Sequence, residues 1–154
     1  MAKEIERKFL VTGDGYRAEA AVVRYIRQGY VSRRAGGTVR VRVADGRGYL
    51  TVKGITRGAV RSEWEYEVPE ADALAMLGEV CQGAVLAKRR YVVPADDGLS
   101  WEVDEFEAPA RVAGLVVAEI ELPDASTPFR RPTWLGEEVT GRPEYYNSNL
   151  DAQV

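Results

Sequence analysis

Polar and apolar residues alternate with a period of two over most of the chain, which is the pattern of half-buried β-strands. In the stretch Val39-Arg40-Val41-Arg42 the valines take one face of a strand and the arginines take the other. Eight antiparallel strands at this spacing favour a barrel or a sandwich. The predicted strands cover roughly residues 3–10, 22–34, 38–44, 48–54, 61–68, 85–93, 99–107 and 115–122.

Short helices are predicted between the strands and towards the end of the chain. Asp45-Gly46 and Asp97-Gly98 each separate two alternating runs, so we expect hairpin turns there. Because the chain has 154 residues and no linker or repeat, we expect one domain spanning residues 1–154. The predicted helices cover about residues 15–21, 70–80, 132–137 and 145–152.

The polar strand faces carry almost only ionised residues, and most strands after the first, which combines Glu4 and Glu6 with Lys8, carry a single sign. One-sided polarity is usual for an antiparallel sandwich with a solvated outer face, but like charges side by side on a sheet repel each other. A face that binds a charged ligand therefore explains the pattern better. The basic members are Lys8, Arg40, Arg42, Lys53, Lys88 and Arg90. The acidic members are Glu4, Glu6, Glu63, Glu65, Glu67, Glu102, Asp104, Glu119 and Glu121.

Composition narrows the chemistry that such a face can support. The chain has no histidine and one cysteine, Cys81, which excludes Ser/His and Cys/His relays, His- or Cys-ligated zinc and an internal disulfide. No apolar stretch has the length of a signal or membrane segment, so we expect a cytoplasmic protein without a membrane partner. Catalysis would have to use carboxylates, Lys, Arg, Tyr or a metal on oxygen ligands.

The net charge of -3 conceals two halves of opposite sign. Residues 1–61 carry 14 Lys and Arg against 5 Asp and Glu, whereas residues 62–154 carry 7 against 19. Paired carboxylates suit Mg²⁺ or Mn²⁺, which complete their coordination with water and phosphate oxygens. Arg and Lys bind the remaining phosphate oxygens. The pattern favours a site for two divalent ions and a polyphosphate, and no nucleic-acid recognition motif is present.

An ordered set of motifs resembles the CYTH or triphosphate tunnel metalloenzyme superfamily, in particular its short bacterial inorganic triphosphatases. The segment Glu4-Ile5-Glu6-Arg7-Lys8 matches the Glu-x-Glu-x-Lys signature. The resemblance implies an α+β, mainly β fold: an eight-stranded antiparallel closed barrel with its ionised face inward and short flanking helices. Matching segments follow in the same order at Arg27-Gln28-Gly29-Tyr30, residues 39–42, 50–53, 65–67, 88–91, 102–104, 119–121 and 134–140.

The resemblance also implies that the protein is an enzyme and assigns separate roles to the residues of its site. The expected activity is metal-dependent hydrolysis of inorganic triphosphate, or of a related triphosphate, inside the tunnel. Lys8 and Tyr30 are the acid/base candidates. The resemblance implies two metal ions, Mg²⁺ or Mn²⁺, and the implied ligands are Glu4, Glu6, Asp104, Glu119 and Glu121. The implied phosphate-binding residues are Lys8, Arg40, Arg42, Lys53, Lys88 and Arg90, with Glu63, Glu65, Glu67 and Glu102 as supporting acidic residues.

Two other functions stay open at this point: a class IV-like adenylate cyclase, and a non-catalytic module that binds polyphosphate or a nucleotide triphosphate. In each case the partner is a small molecule that contains a triphosphate, and the protein is a monomer or a homodimer. Relatives can close one tunnel mouth with a basic C-terminal helix. The segment 144–150 departs from that pattern, because it contains no Lys or Arg.

Overall fold

The computed structural model describes residues 2–34 and 36–150, with side chains from Ile5 onward. Three short α-helices lie in this part: α1 (Tyr16–Glu19), α2 (Glu70–Glu79) and α3 (Asn147–Leu150). The nine strands described are β1 (Ala2–Val11), β2 (Val22–Arg34), β3 (Gly37–Ala44), β4 (Arg47–Gly54), β5 (Val60–Val68), β6 (Gln82–Pro94), β7 (Ser100–Ala108), β8 (Val116–Glu121) and β9 (Leu135–Glu138).

Eight of the strands close into an antiparallel barrel. Their order is β5-β4-β3-β2-β6-β7-β8-β1, and β1 pairs with β5 at Ile5 and Val60 to complete the ring. The predicted closed barrel with flanking helices is therefore confirmed. The hairpin turns are confirmed as well: Asp45 and Gly46 both have positive φ angles, as do Asp97 and Gly98.

The ninth strand corrects one prediction from the sequence. Residues 132–137 were expected to form a helix, but β9 pairs with β1 instead, with Phe9 opposite Glu138. The second half of β1 continues past the end of β5, which leaves a strand edge open for pairing. A side chain at Gly136 would place its Cβ 2.9 Å from the Leu10 carbonyl oxygen, so glycine permits the close approach. Tertiary pairing thus overrides the local helical pattern.

The other three predicted helices are present in shorter form. Helix α1 lies within residues 15–21 and α2 matches residues 70–80 to within one residue. Helix α3 covers residues 147–150 of the predicted 145–152. Tyr145 belongs to a 3-10 helix instead, and residues 151 and 152 lie outside the described chain. No helix in the described ranges is long and apolar enough to cross a bilayer.

The main hydrophobic core lies outside the barrel wall, which excludes the sandwich interpretation of the same alternation. Trp101 packs edge-to-face against Phe9 and Trp134 at ring distances of 5.6 Å. Tyr16 of α1 joins this cluster through a 6.0 Å contact with Trp134. Because the apolar faces are covered from outside, the ionised faces must line the interior.

Candidate active site

A cavity of about 250 Å³ lies inside the barrel, and all eight barrel strands contribute to its wall. Alternation fixes this arrangement, since side chains two residues apart on a strand point the same way. The basic residues of the wall are Lys8, Arg40, Arg42, Lys53, Arg61, Lys88 and Arg90. The acidic residues of the wall are Glu6, Glu63, Glu65, Glu102, Glu119 and Glu121. Tyr30 lines the cavity as well.

Two of the acidic residues named from the sequence, Glu67 and Asp104, are not part of this wall. The side chain of Glu4 is outside the described residues. Glu67 is exposed and lies 3.9 Å from Arg47. Asp104 is buried beside the cavity, where it contacts two of the cations in the wall.

The carboxylates on β1, β7 and β8 form an acidic sector. Glu6 lies opposite Glu121 in the strand register, and Glu119 lies opposite Glu102. The carboxyl groups of Glu6 and Glu119 are close enough for Glu6 to affect the pKa of Glu119. Two carboxyl groups at this separation repel each other unless a proton or a cation lies between them. The donor chemistry of this sector therefore fits a hard divalent ion.

The acidic sector has suitable ligand atoms for a metal ion, but the described carboxylates are not grouped as a complete metal site. Among the side chains that the structure describes, no three Cys, Asp or Glu are grouped so that they could hold a metal ion. Glu4, the remaining ligand expected on β1, is outside that set. A site for Mg²⁺ does not need three grouped carboxylates, because Mg²⁺ completes its shell with water and substrate oxygens rather than with an all-protein cage.

Lys8 faces the acidic sector and is 6% exposed. Its Nζ lies 3.4 Å from Glu119 Oε1 and donates a hydrogen bond of 3.0 Å to the Tyr145 carbonyl. Burial lowers the pKa of Lys8, but the charges of Glu119 and Glu6 outweigh burial and raise it above the ordinary value. Lys8 therefore stays an ammonium at neutral pH.

A buried ion-pair network occupies the wall between β6 and β7. Asp104 Oδ1 accepts from Arg90 Nε at 2.8 Å, and Asp104 Oδ2 accepts from Arg90 at 2.9 Å and from Lys88 Nζ at 2.7 Å. Burial raises the pKa of Asp104, but Arg90 and Lys88 outweigh it and hold that pKa far below the usual range. Both oxygens of Asp104 are thus engaged by cations, which is the position of a counterion.

The pKa values of Lys88 and Arg90 shift in opposite directions although both side chains contact Asp104. Burial lowers the pKa of Lys88 to about 7, and the charges of Arg90 and Arg42 add to this effect against the attraction of Asp104. Burial opposes the charged form of Arg90 too, but Asp104 and Glu102 raise its pKa well above the ordinary value. The two-point contact of Arg90 with Asp104 explains the difference.

Neutral side chains contact the two inward arginines of β3, and Arg40 also lies 3.5 Å from a Glu65 carboxylate oxygen. Arg42 donates from Nε and from a terminal nitrogen to Gln28 Oε1, at 2.9 and 2.6 Å. Arg40 donates to Thr51 Oγ1 at 3.2 Å, and Thr51 donates to Glu65 at 2.8 Å. Burial lowers the pKa of Arg42 to about 9, with further lowering by the nearby charges of Arg40 and Arg90.

Three residues of this site are not among those that the sequence pattern singles out. Arg61 lines the cavity, and its parity with Glu63 on β5 is a signal that could have found it. Gln28 and Thr51 are neutral, so the pattern of ionised faces does not include them. The sequence offers Asn147 and Asn149 as polar residues that could reach phosphate, and Asn147 lines the cavity.

The C-terminal segment closes one end of the barrel from inside. Leu150 of α3 packs with Leu86, Phe106 and Val117 in an apolar cluster. Next to this cluster, Asn147 Oδ1 accepts a 2.9 Å hydrogen bond from Lys88 Nζ. Closure therefore needs no Lys or Arg on the segment, because its oxygens accept from lysines that belong to the barrel.

The opposite end forms a mouth that leads to the cavity. Arg24, Asp45, Arg47 and Tyr49 line it. Four residues are shared between the walls of the mouth and of the cavity: Arg42, Glu65, Arg90 and Glu102. The two cations that the mouth shares with the cavity are Arg42 of β3 and Arg90 of β6.

Comparisons with known proteins agree with this geometry. A family model described as the CYTH domain matches residues 2–152. An inorganic triphosphatase of Acetivibrio thermocellus is 50% identical over 150 residues, which are 97% of this chain and 94% of the relative. An inorganic triphosphatase of Nitrosomonas europaea is 34% identical and covers 98% of both chains. The solved structure of the inorganic triphosphatase NE1496 superposes with a TM-score of 0.67 at 31% identity, covering 100% of this chain and 97% of that one.

Proposed function

The chain belongs to the CYTH domain family, and we propose that it is an enzyme that hydrolyses inorganic triphosphate inside its barrel. The observation that carries this proposal is the cavity wall, which concentrates cations on β3, β4 and β6 and carboxylates on β1, β7 and β8, with Lys8 as a cation beside the carboxylates. Such a wall fits a compact polyanion together with divalent cations. Two relatives with this activity match almost the whole chain.

The basic sector would bind and orient the phosphates. Arg40 and Arg42 point inward from one strand, and Lys53 lines the wall beside them. Guanidinium groups can bind two phosphate oxygens at once, whereas Lys acts as a point charge. Cations that are fixed before the substrate arrives also stabilise the negative charge that develops during phosphoryl transfer.

The acidic sector would hold Mg²⁺ or Mn²⁺, and we propose two ions. Glu6, Glu119 and Glu121 fit as ligands, with Glu4 as the further ligand that the family resemblance adds. A bound divalent ion would supply Lewis-acid charge and a water of lowered pKa. We assign Asp104 to the basic sector as a counterion, because Arg90 and Lys88 occupy its two oxygens.

Lys8, with Tyr30, would take the acid/base role. As a buried ammonium beside Glu119, Lys8 can donate a proton or a hydrogen bond to a phosphate oxygen. Tyr30 is 4% exposed, and its hydroxyl lies 3.5 Å from Gln28 Nε2. In the reaction the oxygen of water bonds to a terminal phosphorus, the bridging P–O bond breaks, and phosphate and pyrophosphate leave.

Product release from tripolyphosphate with Mg²⁺ or Mn²⁺ tests the proposal. We expect turnover by the wild type and a loss of about a hundredfold or more in Glu6→Ala and Arg42→Ala, since each removes charge stabilisation of the transition state. Glu79→Ala, at an exposed position on α2, is the matched control and should keep full activity.

The alternatives give different outcomes in the same assay. Cyclic AMP formed from ATP in preference to phosphate release would assign the barrel to a cyclase. Tight binding of tripolyphosphate without turnover would assign it to a binding module. Full activity in both Glu6→Ala and Arg42→Ala would contradict the site.

A further inference from the structure

Gln28 lies in the barrel wall and forms hydrogen bonds both to a neighbouring strand and to the C-terminal helix. It is completely buried on β2 and lies opposite Arg42 of β3 in the strand register. Its Oε1 accepts two hydrogen bonds from the Arg42 guanidinium, at 2.9 and 2.6 Å. Its Nε2 donates to Asn147 Oδ1 of the C-terminal helix α3 at 3.3 Å.

The contact to Asn147 fixes which end of the carboxamide faces the arginine. Asn147 Oδ1 also accepts from Lys88 Nζ, so it can only act as an acceptor towards Gln28. Gln28 must then present Nε2 to α3 and Oε1 to Arg42. The orientation of the Arg42 guanidinium is in this way tied to the docked C-terminal segment.

The same cavity wall contains the contrasting case of an arginine held by a carboxylate. Arg90 makes two hydrogen bonds to Asp104, which neutralise its charge within the wall. Arg42 makes two hydrogen bonds to a neutral amide, which fixes its position and leaves the positive charge uncompensated. A half-buried cation held in this way attracts an anion, because the surrounding wall weakens its screening by water.

We propose that Gln28 is a positioning residue that orients the Arg42 guanidinium towards the phosphates while leaving its charge available to them. The inference rests on the proposed function for the identity of the anion. It predicts that both features of Gln28 matter, namely the acceptor oxygen and the absence of a negative charge.

Two substitutions separate these features. Gln28→Met keeps the length of the side chain and removes the acceptor, so Arg42 loses its orientation. Gln28→Glu keeps the acceptor and adds a charge that pairs with Arg42. Both substitutions remove the Nε2 donor to Asn147, so the comparison between them isolates the acceptor and the charge. The exposed Gln82→Glu makes the same chemical change outside the cavity and is the matched control.

The measurements are the dissociation constant of tripolyphosphate by calorimetry in EDTA, kcat and KM with Mg²⁺, and the melting temperature. We expect about a tenfold or larger rise in the dissociation constant and KM for both Gln28 variants, the size of a lost charge-assisted hydrogen bond. Gln28→Glu loses the hydrogen bond to Asn147 but gives Arg42 a charged partner, so its melting temperature should lie above that of Gln28→Met, which loses both contacts. Gln82→Glu should bind within twofold of the wild type.

A double-mutant cycle with Arg42→Ala tests whether Gln28 acts through the arginine. In the Arg42→Ala background, Gln28→Met should weaken binding by less than twofold. An undiminished effect in that background, or wild-type affinity in Gln28→Glu, would overturn the proposal. Failure of both Gln28 variants to fold would overturn it as well, by assigning the residue a structural role.

Binding in EDTA keeps this test separate from the test of hydrolysis. A wild type that binds tripolyphosphate without turning it over would refute the proposed function, while the binding constants of the variants would still decide the role of Gln28. If Gln28→Met alone fails to fold, the Gln28→Glu comparison decides the question.

Discussion

Individual buried charges divide into those that neutralise each other and those left for a ligand. Asp104 is 3% exposed and binds Arg90 and Lys88 at distances of 2.7 to 2.9 Å. Arg42 is held by the neutral Gln28, whereas Arg40 is held by Thr51 and has Glu65 only 3.5 Å away. Removing a neutralising partner should therefore cost stability, whereas removing a ligand-binding cation should cost affinity.

Asp104→Asn tests the first of these statements. Breaking a buried ion pair from one side leaves a buried cation without its counterion, so we expect a loss of about 3–5 kcal/mol in the free energy of unfolding. Urea denaturation in EDTA measures it. Glu107→Gln, which removes an exposed partner of Arg89 at 2.8 Å, should cost less than about 1 kcal/mol. Destabilisation seen only with metal present would instead make Asp104 a metal ligand.

The same carboxylate gives the stability a defined dependence on pH. The pKa of Asp104 is lowered in the folded state, so the unfolded chain binds the proton more tightly. Its contribution is then fully present above the unfolded pKa of about 4 and is lost as the pH falls below that value. Unfolding curves between neutral pH and pH 3 should show a smaller loss for Asp104→Asn than for the wild type.

Single residues also show what the sequence could and could not predict about the site. Strand parity places ionised residues such as Arg42 and Glu121 on one face, and the structure puts both in the cavity wall. Parity does not reveal Gln28 or Asn147, because a neutral side chain gains its role from a partner on another strand or helix. It also does not show that Asp104 pairs within the wall, since the register between β6 and β7 decides that.

Strands and helices follow their sequence patterns where the pattern and the tertiary environment agree. Helix α2 formed where it was predicted, and it covers β3 and β4 through Ala73, Val41 and Val43. The segment of β9 has a pattern that fits a helix, yet the open edge of β1 recruits it as a strand. An open edge is a property of the assembled barrel, and no local pattern contains it.

Docking of α2 depends on a close approach that can be tested. A Cβ at Gly48 of β4 would lie 2.7 Å from Ala73 Cβ and 3.0 Å from the Val68 carbonyl oxygen. Because these are fixed atoms, Gly48→Ala should destabilise the protein by about 1–3 kcal/mol. At Gly54 of the same strand a Cβ would meet only ordinary contacts, the nearest at 3.6 Å.

Gly54→Ala is therefore the matched control, and its free energy of unfolding should stay within about 0.5 kcal/mol of the wild type. Denaturant titrations of both variants give the comparison. Equal stability of the two variants would show that α2 shifts to accept the extra methyl group at no cost.

The barrel turns a separation of charge along the chain into a separation across a cavity. Basic residues dominate residues 1–61 and acidic residues dominate the remainder. In the closed ring β3, with Arg40 and Arg42, lies four strands from β8, with Glu119 and Glu121, by either route. The two charged sectors therefore face each other from opposite walls.

This arrangement predicts that a divalent ion and a triphosphate bind cooperatively. Without the ion, the carboxylates of the acidic sector repel the triphosphate, and without the triphosphate the cations of the basic sector repel the ion. Each ligand removes the repulsion that the other meets, so the coupling must be reciprocal. We expect bound Mn²⁺ to increase the affinity for a hydrolysis-resistant imido analogue of tripolyphosphate by at least about fivefold, and the analogue to increase Mn²⁺ affinity by the same factor.

Calorimetric titrations at fixed free Mn²⁺ activity measure this coupling and correct for chelation of the ion in solution. Glu121→Gln should weaken Mn²⁺ binding and reduce the coupling, because it removes one carboxylate from the acidic sector. Glu79→Gln, on the exposed surface of α2, should leave both unchanged. Equal analogue affinity with and without Mn²⁺ would mean that the two sectors act independently, in which case the opposed walls serve binding of one ligand at a time.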